Sequence, residues 1–160
     1  MDDRRHLVSA AAAAALTEYT FRHPLNPKAE IHLRALSALA GLERIGLTLA
    51  RLPAGRESFA YHYHHGEEEF LYVISGRGIA EIGDEKIEVG PGDVMMFPAP
   101  SPGHNLRNPF DVDLVYLMGG ERRGIEVAEF PRHGKRAVID RNGFHFVDVA
   151  DLKPFSSRSE

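Results

Sequence analysis

The sequence contains no cysteine. That removes disulfides, thiolate metal sites and cysteine nucleophiles, so a metal would have to be held by nitrogen and oxygen donors. A cysteine-free chain is compatible with a reducing compartment, and the cytoplasm is the expected location. No apolar run is long enough to cross a bilayer. A basic excess is missing as well, with 19 Lys and Arg against 23 Asp and Glu and a net charge of −4. Nucleic acid and anionic membranes are therefore not expected partners. There is no block of like charge and no internal repeat, which speaks against an interaction tail or a solenoid.

What is present suits one compact domain: 160 residues, of which 43% are hydrophobic. The opening MDDRRHLVSAAAAAALTEY loosely imitates a secretory signal, but Asp2 and Asp3 offset Arg4 and Arg5. Alanine is also the strongest helix former, so a short N-terminal helix is the expectation. HPLNPK at 23–28 reads as an irregular linker. The division expected is an extension over residues 1–28 and a single barrel domain over 29–155.

From there on, short β segments alternate with Gly, Pro and Asp turns. Strands are expected at 44–52, 58–64, 69–75, 78–82, 86–89, 94–97, 112–118, 125–130 and 144–149, with a tight hairpin at Gly83-Asp84-Glu85. Many short strands evenly punctuated by turns indicate an all-β antiparallel sandwich or barrel. Alternation along 58–64 puts Ser58, Ala60, His62 and His64 on one face and Phe59, Tyr61 and Tyr63 on the other. Along 69–75 it puts Glu69, Leu71 and Val73 opposite Phe70, Tyr72 and Ile74. If the histidine face lines the interior, the second set points outward, where its apolar area predicts a covering partner.

His62 and His64 point the same way on a strand, and Glu69 can rejoin them across a short turn. His104 follows the proline loop PAPSPG at 98–103. Three imidazoles and a carboxylate suit a divalent Fe, Mn, Zn, Ni, Co or Cu ion. Taken singly, each of these residues has a plainer explanation, since an H-x-H on a strand is commonly surface or core. Glu67 and Glu68 read as a solvated acidic turn. His6, His23, His32, His133 and His145 stand alone and read as structural or solvated, and His65 has the wrong parity for the pair.

Together the residues carry more. Gly55…His62-x-His64-xxxx-Glu69-xxxxxx-Gly76 resembles the first motif of the cupin superfamily. Gly92-xxxxx-Pro98…His104-xxx-Asn108 resembles the second, with the turn Gly90-Pro-Gly92-Asp93 between them. Gly55 and the Pro98–His104 interval each depart from the pattern by one residue, in turns where length varies freely. Over residues 24 to 155 the chain is similar to uncharacterised bacterial single-domain cupins. That resemblance implies a double-stranded β-helix, or jelly-roll, barrel holding one divalent metal ion per chain on His62, His64, Glu69 and His104. It also implies a homodimer paired through an outer sheet.

Cupins include dioxygenases, isomerases and epimerases, decarboxylases and non-catalytic binders, so the fold does not select a reaction. The expected activity is that of a metal-dependent, oxygenase-like enzyme on a small organic molecule. A non-enzymatic ligand- or metal-binding cupin and an isomerase or epimerase remain alternatives. Strand parity places Ala60, Leu71, Val73, Met96 and Phe97 near the substrate. Tyr61, Tyr63, Glu67, Glu68 and Tyr116 are candidate acids or bases, without a basis for choosing among them.

Overall fold

The computed structural model describes residues 6–154. Its elements are almost all strands, arranged antiparallel in three sheets. The largest has the order β1-β2-β3-β10-β5-β8, built from Tyr19–Phe21, Ile31–Ala35, Ile45–Leu52, Leu114–Glu121, Glu69–Ser75 and Val94–Phe97. A second runs β13-β12-β11-β4, from Gly143–Asp148, Lys135–Asp140, Glu126–Phe130 and Tyr63–His64. The third runs β7-β6-β9, from Glu85–Val89, Gly78–Ile82 and His104–Arg107. Ser9 caps a short helix, α1 (Ala10–Ala15), through its side chain and the Ala12 N–H, as the alanine run suggested.

The turns follow from the sequence. Gly83 (φ +59°) and Asp84 close the hairpin in which Ile82 faces Glu85. Gly76 (φ +78°) ends β5 where a Cβ would lie 2.2 Å from the Asp113 carbonyl oxygen. Buried Asn108 ties the other end together, donating from Nδ2 to the Leu52 and Val112 carbonyls while its Oδ1 accepts the Phe110 N–H.

Inward-facing residues of the large sheet form the main core: Ile31, Leu33, Ala50, Leu52, Val73, Leu114 and Tyr116, joined by Ala80 and Leu106 of the third sheet. Ala60, Ala128, Phe130 and Ala137 form a smaller cluster under the second sheet. The expected strand at 58–64 is shorter than its alternation suggests. The chain bends through Ser58–Tyr61 and only Tyr63–His64 is strand. Phe59 consequently turns inward onto the main core, whereas strict alternation put it outside. Tyr61 is capped by the Arg132 guanidinium, 3.7 Å from its ring centroid. β1, β2, β9 and β12 were not anticipated from the sequence, and β1 joins the main sheet through β2.

Gly76→Ala should cost on the order of 3 kcal/mol in denaturant unfolding, because it adds positive-φ strain to a clash with backbone. A loss below roughly 1 kcal/mol would show that the turn relaxes freely.

Candidate metal centre

Two segments far apart in sequence meet at one β-bridge. The His62 N–H donates to the His104 carbonyl (3.1 Å) and the His104 N–H returns to the His62 carbonyl (2.7 Å). β4 continues from this bridge and pairs with β11, while β9 belongs to the third sheet. Glu69 opens β5 in the main sheet. Each donor is thus fixed by a different sheet, and their side chains converge between them. Ligand atoms of His62, Glu69 and His104 all lie within 4.8 Å of one another, and these three residues could hold a metal ion.

The imidazoles are oriented by backbone. His62 Nδ1–H donates to the Ala60 carbonyl at 2.8 Å, and His104 Nδ1–H faces the Pro102 carbonyl at 3.3 Å. That leaves both Nε2 atoms facing the centre, as metal-ligating histidines require. His104 Nε2 lies 2.5 Å from Glu69 Oε1, and Phe97 stacks on the His104 ring at 3.7 Å between centroids. His64 stands at the edge of this group. Its ring is 5.1 Å from that of His62, and its Nε2 is 4.0 Å from Glu69 Oε1.

Burial and charge suit neutral imidazole beside carboxylate. Burial first, and then the neighbouring His104, lower the His62 pKa from 6.5 to about 3. Glu69 is raised by burial, but the hydrogen bond and charge of His104, with His62 and His64, bring it down to about 2. The donors therefore fit a divalent ion of the borderline or harder kind.

The carboxylate of Glu126, on β11, shapes the loop behind the histidines. Its Oε1 accepts the N–H groups of His65 (3.0 Å) and Gly66 (2.9 Å) and lies 3.7 Å from His64 Nδ1. A Cβ on Gly66 would sit 2.7 Å from Glu126 Oε2, so glycine permits the loop to close on the carboxylate.

A cavity of about 460 Å³ opens from the metal-site donors to the surface. Its walls are mostly apolar: Phe59, Leu71, Met95, Phe97, Leu106, Met118 and Phe130, with Ile139 and Phe144 from β12 and β13. Leu71 and Phe97 therefore lie where strand parity put them. Met96 does not: it is 71% exposed on the outer face and Met95 takes its place within. β8 pairs Met96 with outward Phe70 and Met95 with inward Leu71. Ala60 and Val73 are also placed differently, since both are packed inside hydrophobic clusters and neither lines the cavity.

Of the candidate acids and bases, Glu67 and Glu68 line the cavity. The three tyrosines do not. Tyr61 donates to the Gly83 carbonyl, Tyr63 packs against His65, and Tyr116 lies fully buried, where burial pushes its phenol upward. His65 is exposed with Nε2 3.2 Å from Glu129 Oε1.

His23, read from the sequence as structural or solvated, lines the cavity. Its Nδ1 accepts the Leu25 N–H and its ring packs on Phe130. Burial, with a smaller contribution from His133, lowers its pKa to about 4. No pattern in the sequence marks it, because its neighbours arrive from Phe130 and Phe146, far along the chain.

The chain belongs to the cupin superfamily. The cupin domain model matches residues 48–120. A solved structure from Acidithiobacillus ferrooxidans, a proposed sugar phosphate isomerase, is 31% identical, with 98% of this chain and 100% of that one covered at a TM-score of 0.90. A cupin-superfamily sugar phosphate isomerase from Silicibacter pomeroyi is 27% identical over 89% and 91% of the two chains, TM-score 0.76. An uncharacterised protein of Methanocaldococcus jannaschii is 35% identical over 71 residues, 44% of this chain. The chain spans about half the length of that curated relative, 55%. The double-stranded β-helix expected from the motifs is the fold this chain shares with the two solved structures.

The depressed His23 pKa has a definite sign. The unfolded chain takes up a proton near pH 6.5, whereas the folded protein resists until about pH 4. Its stabilisation is therefore complete above the first value and lost as pH falls toward the second. With chelator present, unfolding free energy should fall across that window, by on the order of 3 kcal/mol from this residue. His23→Phe should flatten the fall, and an unchanged slope would show that His23 is not the buried neutral base.

Proposed function

We propose that the protein is a metal-dependent enzyme acting on a small organic molecule, with chemistry of the oxygenase type. The observation that carries this is the convergence of His62, Glu69 and His104 on a largely apolar cavity of about 460 Å³. In this reading His64 is the fourth donor. A bound divalent ion supplies Lewis-acid or redox chemistry at these donors. The protein's own part is to keep His62 neutral by burial, hold His62 and His104 by their Nδ1–H groups, and exclude water with Phe59, Leu71, Met95 and Phe97. Besides the donors and His23, the ionisable groups lining the cavity are Glu67, Glu68, Glu121 and Arg122. That is a sparse supply of general acids and bases, which favours chemistry centred on a metal. A cytoplasmic location belongs to the same proposal and rests on the cysteine-free sequence.

An isomerase is the second reading. It is supported by the full-length similarity to the Acidithiobacillus protein and by Glu67 at the cavity, whose carboxyl burial raises toward the range of a useful acid–base group.

Homodimerisation through the outer face of the six-stranded sheet completes the proposal. Tyr72, Ile74, Val94 and Met96 stand exposed on adjacent β5 and β8, an apolar surface of the kind subunits cover. Light scattering should give twice the 17.8 kDa chain mass for the wild type and a monomer for Ile74→Glu/Met96→Glu. A monomeric wild type across a concentration series would contradict the pairing.

The reaction can be tested with protein reconstituted separately with Fe²⁺, Mn²⁺ and Zn²⁺. A panel of 2-hydroxy and 2-oxo acids with apolar tails should give oxygen uptake with the iron form that His104→Ala abolishes. Exchange of substrate C–H for deuterium without oxygen uptake would establish the isomerase instead. Metal-dependent binding with neither would leave a non-catalytic cupin.

A further inference from the structure

At the open end of the cavity two facing positions of the wall carry no side chain. Thr48, Ala50 and Leu52 of β3 are buried on its inner face, so by alternation Gly46 belongs to that face too. Gly120 of β10 is its partner across the ladder, and Glu69 is the partner of Gly120 on the other side. A Cβ on Gly120 would come within 2.7 Å of the Glu68 carbonyl oxygen, so this wall is thin by necessity.

The room above Gly46 is taken by Arg122. A Cβ on Gly46 would lie 2.9 Å from Arg122 Nε and 3.4 Å from Nη2, and both residues line the cavity. The Arg122 N–H donates to the Arg44 carbonyl at 2.8 Å, which fixes where the side chain departs. Among the described residues the Arg122 guanidinium has no ion pair and no side-chain hydrogen bond. Two of the three rim carboxylates are engaged elsewhere: Glu67 Oε1 accepts the Arg123 N–H, and Glu121 Oε2 accepts from the Glu68 N–H (3.2 Å) and Arg123 Nη2 (3.3 Å). An exposed guanidinium with free donors at the mouth of a largely apolar cavity is a forked site for a planar or tetrahedral oxyanion.

We propose that Arg122 anchors an anionic group of the ligand, a carboxylate or a phosphate, at the end remote from the oxygens that approach His62, Glu69 and His104. Gly46 is kept free of a side chain to admit the guanidinium. Glu69 and Gly46 are two strand spacings apart, about 10 Å across the sheet, which suits a compact molecule with a polar head at each end. This rests on the reading of the cavity as the substrate site and narrows its ligand class.

Calorimetric titration of the metal-loaded protein tests it with matched pairs. Lactate against malate adds a remote carboxylate, and glycerate against 3-phosphoglycerate adds a remote phosphate. At least one addition should tighten binding to the wild type on the order of tenfold. That gain, read in each protein against its own parent acid, should vanish in Arg122→Gln and in Gly46→Leu, and return in part in Arg122→Lys. Which pair responds separates carboxylate from phosphate. An equal gain in wild type and Arg122→Gln, or no gain from either addition, would overturn the anchor while leaving the cavity reading intact. Failure of the parent acids to bind in a metal-dependent way would overturn the cavity reading, and the anchor with it.

Discussion

Two backbone hydrogen bonds between His62 and His104 hold the donor cluster together. They join a segment from the start of the chain's central half to one that follows the proline loop, and they bring β4 of one sheet against β9 of another. Much of the surrounding detail serves this bridge. Gly103, just before His104, lets the Tyr61 ring pack where a Cβ would lie 2.3 Å from the ring. Asn105, just after it, accepts from Ser58 Oγ and the Leu106 N–H and so ties the bend before His62 to the same strand. Without these contacts the bend at Ser58–Tyr61 would have no reason to deliver His62 opposite His104 rather than one residue out of register.

The electrostatic arrangement follows from that geometry. Buried in an apolar enclosure beside His104, His62 favours the neutral form, because its charged ring would be desolvated and would repel its neighbour. A carboxylate in the same enclosure is tolerated only with partners, and Glu69 finds one in His104. What burial makes costly for protons makes the site suitable for a divalent ion, which needs neutral nitrogen and ionised oxygen. The wider pocket is lined mostly by apolar side chains.

Much of this was readable in the sequence. β5, β6 and β8 have the bounds that their flanking glycines and prolines imply, and the motif spacing singled out His62, Glu69 and His104, which converge, together with His64, which stands at the edge of the group. The remainder was hidden for physical reasons. Val94–Phe97 is apolar at every position, so nothing in it marks the outer face, and only pairing with β5 decides that Met95 rather than Met96 turns inward. The alternation of Phe59, Tyr61 and Tyr63 imitated a regular strand, whereas the chain bends and each aromatic finds a different neighbour. β2 and β12 carry His32, Arg34, Lys135 and Arg136 among their apolar residues, and those polar side chains find partners in Glu18, Glu30, Asp148 and Glu129 from elsewhere. His23 reaches the cavity only because the preceding strand joins the main sheet, a tertiary fact without a local signal.

Elemental analysis of untagged wild type beside His62→Ala and His104→Ala tests the central claim most directly. The wild type should carry close to one iron, manganese, nickel, copper, cobalt or zinc ion per chain, lost in both variants while their circular dichroism stays that of a β-sheet protein. A folded wild type that holds no transition metal, and takes none up when each is offered, would contradict it.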